Sequence, residues 1–470
     1  MEMDKENNQS YQVKLGVGRK LAYGLGEAGG NMSNGLFAQF FLIFCTDTFG
    51  VGAGVVGTVI LLGRFWDMIN DTWVGSWTDR YDSPKGKYLP WIKASVLPLF
   101  IVTILGFWAH PDWGYTAKVV WVVVLYFAWA FAFTCLNIPY TALTAVMTQD
   151  QAERASAAGY RMAFGNIVMI IQGSLLMPLV MRFGGAEGNM PGGWVKTVIL
   201  FSIIGIIAVF ISTTVTKEVV KKPKAIEKDK TPIMQNIRYA IKNKQFLIVA
   251  FGMFIVGFYN LGRMTSMTYF FSYERGDMGA MGSFVTAQGI GGILGALFLA
   301  ENLSKLFKSK SKAVMLCTAL AIIATLLQYV CRDGGAGFLI GAFFGQMFIY
   351  TALTIIFSMI ADCVEYGLLK DGVRMDGFYS AFGYFWHKAG IALGSAGTGW
   401  VLAATGFVPN AATQAASVFG GINFMFFWLP IILAVLMLIA FAFYKIDFKT
   451  FDGILEQIEE KYGADATHAE

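Results

Sequence analysis

Apolar runs long enough to cross a lipid bilayer recur along almost the whole chain, and they constrain its fold more than any other feature. A spanning helix needs about 20 mostly apolar residues. Twelve stretches meet that template, at 21–46, 53–78, 89–109, 117–146, 157–181, 195–215, 246–271, 283–304, 313–331, 336–361, 377–405 and 420–444. Lipid offers no partner to backbone N–H and C=O groups, so these runs are expected to be helices. The 470 residues are 56% hydrophobic and 14% charged, which excludes an ordinary soluble protein. A net charge of +5, scattered along the chain, also excludes a nucleic-acid surface.

Loop charges set the orientation, because Lys and Arg stay on the cytoplasmic side. Arg80, Lys85 and Lys87 lie between spans 2 and 3, with Lys93 in the first turns of span 3, and Lys305, Lys308, Lys310 and Lys312 lie between spans 8 and 9. Loops of the opposite parity are nearly bare, so both termini are expected in the cytoplasm. Residues 1–20 are polar and basic and run into a full span, so no cleavable leader is expected. The longest polar connection, 217–245, holds eight lysines and two prolines and divides the spans into bundles at 21–216 and 246–444, with a tail at 445–470. This is an all-α integral membrane architecture of two six-helix halves, the arrangement of major-facilitator transporters, whose sites lie near the midplane. The 53 glycines suit close helix packing in lipid. Five isolated cysteines with no CxxC pair, and three distant histidines, offer no local metal motif.

Function must then come from polar residues inside the spans. An intramembrane charge costs about 2.5–3.5 kcal/mol on the lenient insertion scale, yet span 2 carries Arg64, Asp67 and Asp71 within eight positions. Their spacing of three and four puts them on one helix face, with Asn70 beside them. Two carboxylates against one guanidinium leave a deficit that a bound cation or proton cancels. In span 4, Thr134 and Asn137 share a face, and Pro139 frees a carbonyl near them. Asp67, Asn70, Asp71 and Thr134 thus supply the hard oxygen ligands a sodium-class cation prefers. Lys388 lies about eleven residues into span 11, too deep to snorkel, so a carboxylate partner on span 2 is expected. His387 reads as a packing neighbour. Glu27 is followed by Gly29, Gly30 and Asn31, a face suited to a polar cavity, while Arg161 and Arg263 read equally well as structural pairs or ligand contacts. Asp79 and Arg80 close span 2. Asp362, Glu365, Arg374 and Asp376 crowd the turn between spans 10 and 11 and read as a cytoplasmic gate of ion pairs. Tyr140 and Trp386 sit on polar spans, where aromatic faces suit sugar rings.

These motifs resemble those of the glycoside-pentoside-hexuronide:cation symporters, the melibiose permease-like group of the major facilitator superfamily. The resemblance rests on Tyr23-Gly24-Leu25-Gly26-Glu27 through Asn31, the string from Arg64 to Arg80, Asn137-Ile138-Pro139-Tyr140, Ala361 to Gly367, and Lys388-Ala389-Gly390. It implies import of a sugar or glycoside driven by Na+ or H+, with no cofactor and no catalytic residues. Asp67 and Asp71 match the paired cation-site aspartates, Asn70 and Thr134 match positions that assist sodium, and Lys388 matches a lysine near that site. Arg161 matches a sugar-pocket arginine. Asn31 and Asn137 fall where the melibiose branch carries sugar-binding aspartates, and Thr141 stands where it has a tryptophan. Those departures leave a xyloside, another glycoside or an acidic sugar open as substrate.

The expected mechanism is alternating access in the cell membrane by a monomer surrounded by lipid, with a small sugar as its partner. Two rival readings are a lysolipid or other amphiphile carrier of the same superfamily, and an integral-membrane transferase holding a metal on Asp67 and Asp71. The absence of a nucleotide motif or sizeable soluble domain weighs against the second.

Overall fold

The apolar runs fold as long helices, and no strand occurs among the described residues. The computed structural model describes residues 14–80, 83, 86–148, 151–185, 190–218, 233–372, 376–411 and 413–462. Helix α1 begins at Val17–Gly35 and continues through π-helical turns at Leu36–Phe40 and Phe44–Thr48. It is followed by α2 (Ala53–Arg80), α3 (Leu89–Gly106), α4 (Tyr115–Met147), α5 (Gln151–Gly184) and α6 (Met190–Val215). A short helix at Ile233–Lys242 leads into α7 (Lys244–Tyr269, extended through Phe270–Glu274). Then come α8 (Gly279–Leu294, extended to Phe307), α9 (Lys310–Val330), α10 (Ala336–Asp371), α11 (Asp376–Ala404) and α12 (Ala416–Asn423, extended to Ala442). Among the described residues, nine helices are apolar and long enough to cross a membrane. The other three, α1, α2 and α11, are as long but carry Glu27, Arg64, Asp67, Asp71 and Lys388.

The chain forms two compact units. The first comprises residues 1–227, 271–285 and 398–419, so its boundary falls inside the polar 217–245 connection and it takes in two stretches from the second half of the chain. Within it, α1 packs against α5 and α6, and α4 receives α2 and α3. Helix α6 shows how one sequence serves two surroundings. Thr197, Phe201, Gly205, Val209 and Ser212 are buried, whereas Ile203, Ile207 and Ile211, four residues apart, are exposed. That second stripe suits acyl chains and is a liability in water. At the end of α1, Tyr273 donates to the Asp47 carboxylate, and the Asn410 amide donates to the Tyr273 hydroxyl at 3.1 Å. These bonds fasten the 271–285 and 398–419 stretches to the rest of the unit.

The second unit comprises residues 228–270, 286–397 and 420–470. Its core joins α7, α9, α10 and α12. Helices α7 and α11 meet backbone to backbone: a Cβ on Gly390 would overlap the Phe254 carbonyl, and one on Gly394 the Phe258 carbonyl. This is the small-residue packing that the glycine count suggested. The tail is more ordered than an amphipathic stretch alone implied. It forms a helix, Phe448–Tyr462, that buries Ile454 and Ile458 against the core. Asp447 starts that helix, and the Thr450 hydroxyl and amide both donate to its Oδ1, which holds its carboxyl below the usual range.

One tether was invisible in the sequence. The Glu218 carboxylate, just beyond α6, accepts the backbone N–H groups of Lys87, Tyr88 and Leu89, each at 2.7 Å. These donors open α3 and have no intrahelical partner, and the positive end of the helix dipole favours the anion. Gly86, at φ +108°, is glycine for two reasons: its backbone is left-handed, and a Cβ there would press on that carboxylate at 3.0 Å. Glu218→Ala is expected to cost about 1–2 kcal/mol. A lowered unfolding temperature in detergent, with faster hydrogen exchange confined to the amides of residues 87–89, is the expected signature. Unchanged exchange there removes the capping role.

Candidate functional site

The first unit contains two polar clusters. In the first, on α2, Arg64 donates from Nη1 to Asp67 Oδ2 at 3.3 Å, and the two side chains are only 18% and 17% exposed. The spacing of three residues puts the pair on one face, as expected. From α4, the Thr134 hydroxyl donates to Asp71 Oδ1 at 3.2 Å, so the two helices share this cluster. Asn70 is fully buried on the same face, and neither its amide oxygen nor its nitrogen has a hydrogen-bond partner. A buried amide without partners costs about 1–3 kcal/mol.

Lacking an N–H, Pro139 leaves the Cys135 carbonyl without its helical donor; the Ser95 hydroxyl of α3 lies 3.2 Å from that carbonyl and 2.9 Å from the Trp91 carbonyl, and its single proton serves one of them at a time.

The second cluster joins α1, α4 and α5. Arg161 donates from Nε to Glu27 Oε2 at 2.6 Å and from Nη2 to Asn137 Oδ1 at 3.3 Å. Asn31, one turn after Glu27, donates to Glu27 Oε1 at 3.0 Å and to the Glu27 backbone oxygen at 3.1 Å. Asn34 donates to Asn31 Oδ1 at 3.4 Å. Of the two readings open for Arg161, the structure gives it a carboxylate partner that is itself part of the polar face of α1. Gly165 keeps α5 close, since a Cβ there would touch the Asn31 amide at 3.4 Å. Thr141 is exposed, and its hydroxyl donates to the Asn137 carbonyl at 2.9 Å.

Tyr140 is found behind this cluster. Its ring is 1% exposed and stacks on Tyr23 at 4.9 Å, and its hydroxyl donates to the Tyr23 carbonyl and meets Ser212. The Tyr23 hydroxyl in turn bonds the Tyr140 carbonyl at 3.2 Å and Thr144 at 2.5 Å. Together they form a buried strut between α1, α4 and α6 that backs the polar face. Sequence reasoning missed Tyr23 in this role, although it opens the motif that ends in Glu27.

In the second unit, Lys388 is exposed on α11 and Trp386 is half-buried, with an indole N–H that finds no partner. The Trp386 ring leans on Phe254, Phe382 and Phe385. His387 bonds the Met253 carbonyl through Nδ1 at 3.0 Å, in keeping with a packing role. Arg263 is buried, donates to Tyr259 at 3.0 Å and to Gln328, and lies over the Phe426 ring at 4.9 Å. Among the gate residues, Asp362 is bound by Lys310 at 2.7 and 2.9 Å, a pair internal to this unit that ties α9 to α10. Glu365 is half-buried on the same helix. Arg374, and the side chains of Asp79, Arg80 and Asp376, lie outside the described residues.

Comparison with known proteins follows this geometry. Residues 22–448 match the family described as MFS/sugar transport protein. The isoprimeverose transporter of Lactiplantibacillus pentosus is 29% identical, over 94% of this chain and 91% of its own length. The inner membrane symporter YicJ of Escherichia coli (strain K12) is 28% identical, over 95% of each chain. Among solved structures, a bacterial homologue of the human lysosomal transporter Spinster superposes with a TM-score of 0.67 at 16% identity, covering 93% of this chain and 97% of its own, which shows the fold. The relatives are transporters, and this chain is a multi-pass membrane transporter rather than an enzyme. With its family match, its major-facilitator fold and the motifs on α1, α2, α4 and α11, the chain belongs to the MFS/sugar transport family and, within it, to the glycoside-pentoside-hexuronide:cation symporter group.

Proposed function

We propose that this protein is a secondary symporter that imports a sugar or glycoside together with a cation, Na+ in preference to H+. All twelve long helices span the membrane, both termini are cytoplasmic, and the bundles at 21–216 and 246–444 work by alternating access. Asp67, Asn70, Asp71 and Thr134 hold the cation, with Arg64 and Lys388 as charge partners. Glu27, Asn31, Asn137, Thr141 and Arg161 hold the sugar, with Trp386 and Lys388 contributing from α11. Asp79, Arg80, Glu365, Arg374 and Asp376 belong to the cytoplasmic gate.

The observation that carries this reading is Asn70. Its buried amide has no hydrogen-bond partner and shares a face with two carboxylates, Asp67 and Asp71, opposed by the Arg64 guanidinium. A cation coordinated there takes the amide oxygen together with carboxylate oxygens, the hard ligands it prefers. Thr134 draws α4 into that shell through Asp71. Asn137 stands one turn further along α4. Cation occupancy therefore orders the helix that also presents the sugar ligands, and each ligand raises the affinity of the other by the same factor.

The test is uptake into proteoliposomes of a panel of labelled sugars, with sodium and proton gradients imposed separately. Accumulation of at least one glycoside under a sodium gradient is expected. Uptake of none of the panel under either gradient overturns the reading.

A further inference from the structure

The sequence leaves open whether the substrate is neutral or acidic, because Asn31 and Asn137 are uncharged. The structure places a carboxylate beside Asn31 from a different position. Glu27 lies one helical turn before Asn31, bonds its amide at 3.0 Å, and binds Arg161 Nε at 2.6 Å. The guanidinium a carboxylated sugar would seek already has its counter-ion. Glu27 and Arg161 thus pair within this cluster at 2.6 Å, and a second anion on that guanidinium would compete with Glu27.

The hydrogen-bonding inventory points the same way. Arg161 spends its Nε–H on Glu27 and one Nη2–H on Asn137, leaving three N–H donors. Glu27 accepts one bond at each carboxylate oxygen and keeps lone pairs on both, and Asn31 Oδ1 accepts only from Asn34. The pocket therefore presents acceptors next to donors. A sugar hydroxyl, which donates and accepts, matches that alternation. A carboxylate only accepts, and one placed on Arg161 would sit beside Glu27, a like charge on the same guanidinium.

We infer, building on the sugar-symport reading above, that Glu27 makes the pocket selective for neutral glycosides over glycosides bearing a carboxylate. Glu27 is the specificity-determining residue, acting through Arg161 and by direct repulsion.

The experiment compares aryl glycosides that share one ring and differ only at C5: a xyloside (hydrogen), a glucoside (hydroxymethyl) and a glucuronide (carboxylate), with the galacto pair alongside. Binding to purified protein is measured at pH 7.5 in the presence of sodium, for the wild type and for Glu27→Gln. The wild type is expected to bind its best neutral member at least tenfold more tightly than the matching uronide. Glu27→Gln keeps an acceptor for Arg161 but removes the charge, so the neutral-to-uronide ratio is expected to fall by about tenfold or more. A wild type that prefers the uronide overturns the inference. So does a variant that weakens all members equally, the result of a merely structural ion pair. If Glu27→Gln does not yield a monodisperse protein, the wild-type ratio decides alone. Failure of every member to bind defeats the sugar-symport reading itself, whereas binding with the opposite selectivity defeats only the role of Glu27.

Discussion

Asp71→Ala is expected to abolish accumulation of sugar against its gradient while leaving exchange of sugar across proteoliposomes measurable. Asp67 is engaged by Arg64 at 3.3 Å, and Thr134 links Asp71 to α4 at 3.2 Å. Removing Asp71 takes away one of the two carboxylates proposed to hold the cation. It also removes the tie between α2 and α4 through which occupancy reaches the sugar ligands. Coupling between two ligands of one site is typically about 5- to 150-fold in affinity, and sugar titrations with and without sodium are expected to show that gain disappear. Uphill uptake by Asp71→Ala at the wild-type level would sink the assignment of the cation site. Asn70→Leu provides a contrast. It deletes two buried polar atoms that have no partners, so stability without sodium is not expected to fall, whereas the sodium dependence of sugar binding weakens.

The spans were legible because a bilayer imposes one simple demand, length in apolar residues, and the charges of α2 were legible because helical spacing fixes which side chains share a face. Pairing of Thr134 with the α2 carboxylates followed from their common chemistry. What the sequence hid are contacts made by packing. Glu218 lies 129 to 131 residues from the amides it binds, and no local pattern announces such a partner. Glu27 and Arg161, 134 residues apart, were each visible as buried charges, but their pairing needed α1 and α5 to be adjacent. Tyr140 looked like a ligand because it follows Asn137 in a recognisable motif; its burial against Tyr23 is set by three helices at once. Boundaries moved for a physical reason as well. Hydropathy ends span 10 near 361, but α10 runs to Asp371, because helical hydrogen bonds persist after the apolar run stops. The helices least legible as spans, α1, α2 and α11, each carry candidate residues, as expected where function overrides the local pattern.

Lys310→Met is expected to destabilise the second unit by about 3–5 kcal/mol, the usual consequence of leaving one member of a buried ion pair behind. The Lys310 ammonium bonds both oxygens of Asp362, at 2.7 and 2.9 Å, and the Ser358 carbonyl at 3.3 Å. Asp362 is 8% exposed and Lys310 21%, so the carboxylate is the deeply held partner and the ammonium keeps a route to water. After the substitution Asp362 must remain charged among the buried side chains of α10, or take up a proton. Replacing both residues, Lys310→Met with Asp362→Leu, removes the stranded charge and fills the space with apolar atoms, and most of the lost stability is expected to return. A double-mutant cycle on thermal unfolding in detergent measures the pair directly, since the two side chains are in contact and their effects are not additive. The same cycle separates packing from gating. A pair that only ties α9 to α10 changes the unfolding temperature and leaves the transport rate per folded molecule intact in the double variant. A double variant that recovers its stability but not its transport rate would return Asp362 to the cytoplasmic gate.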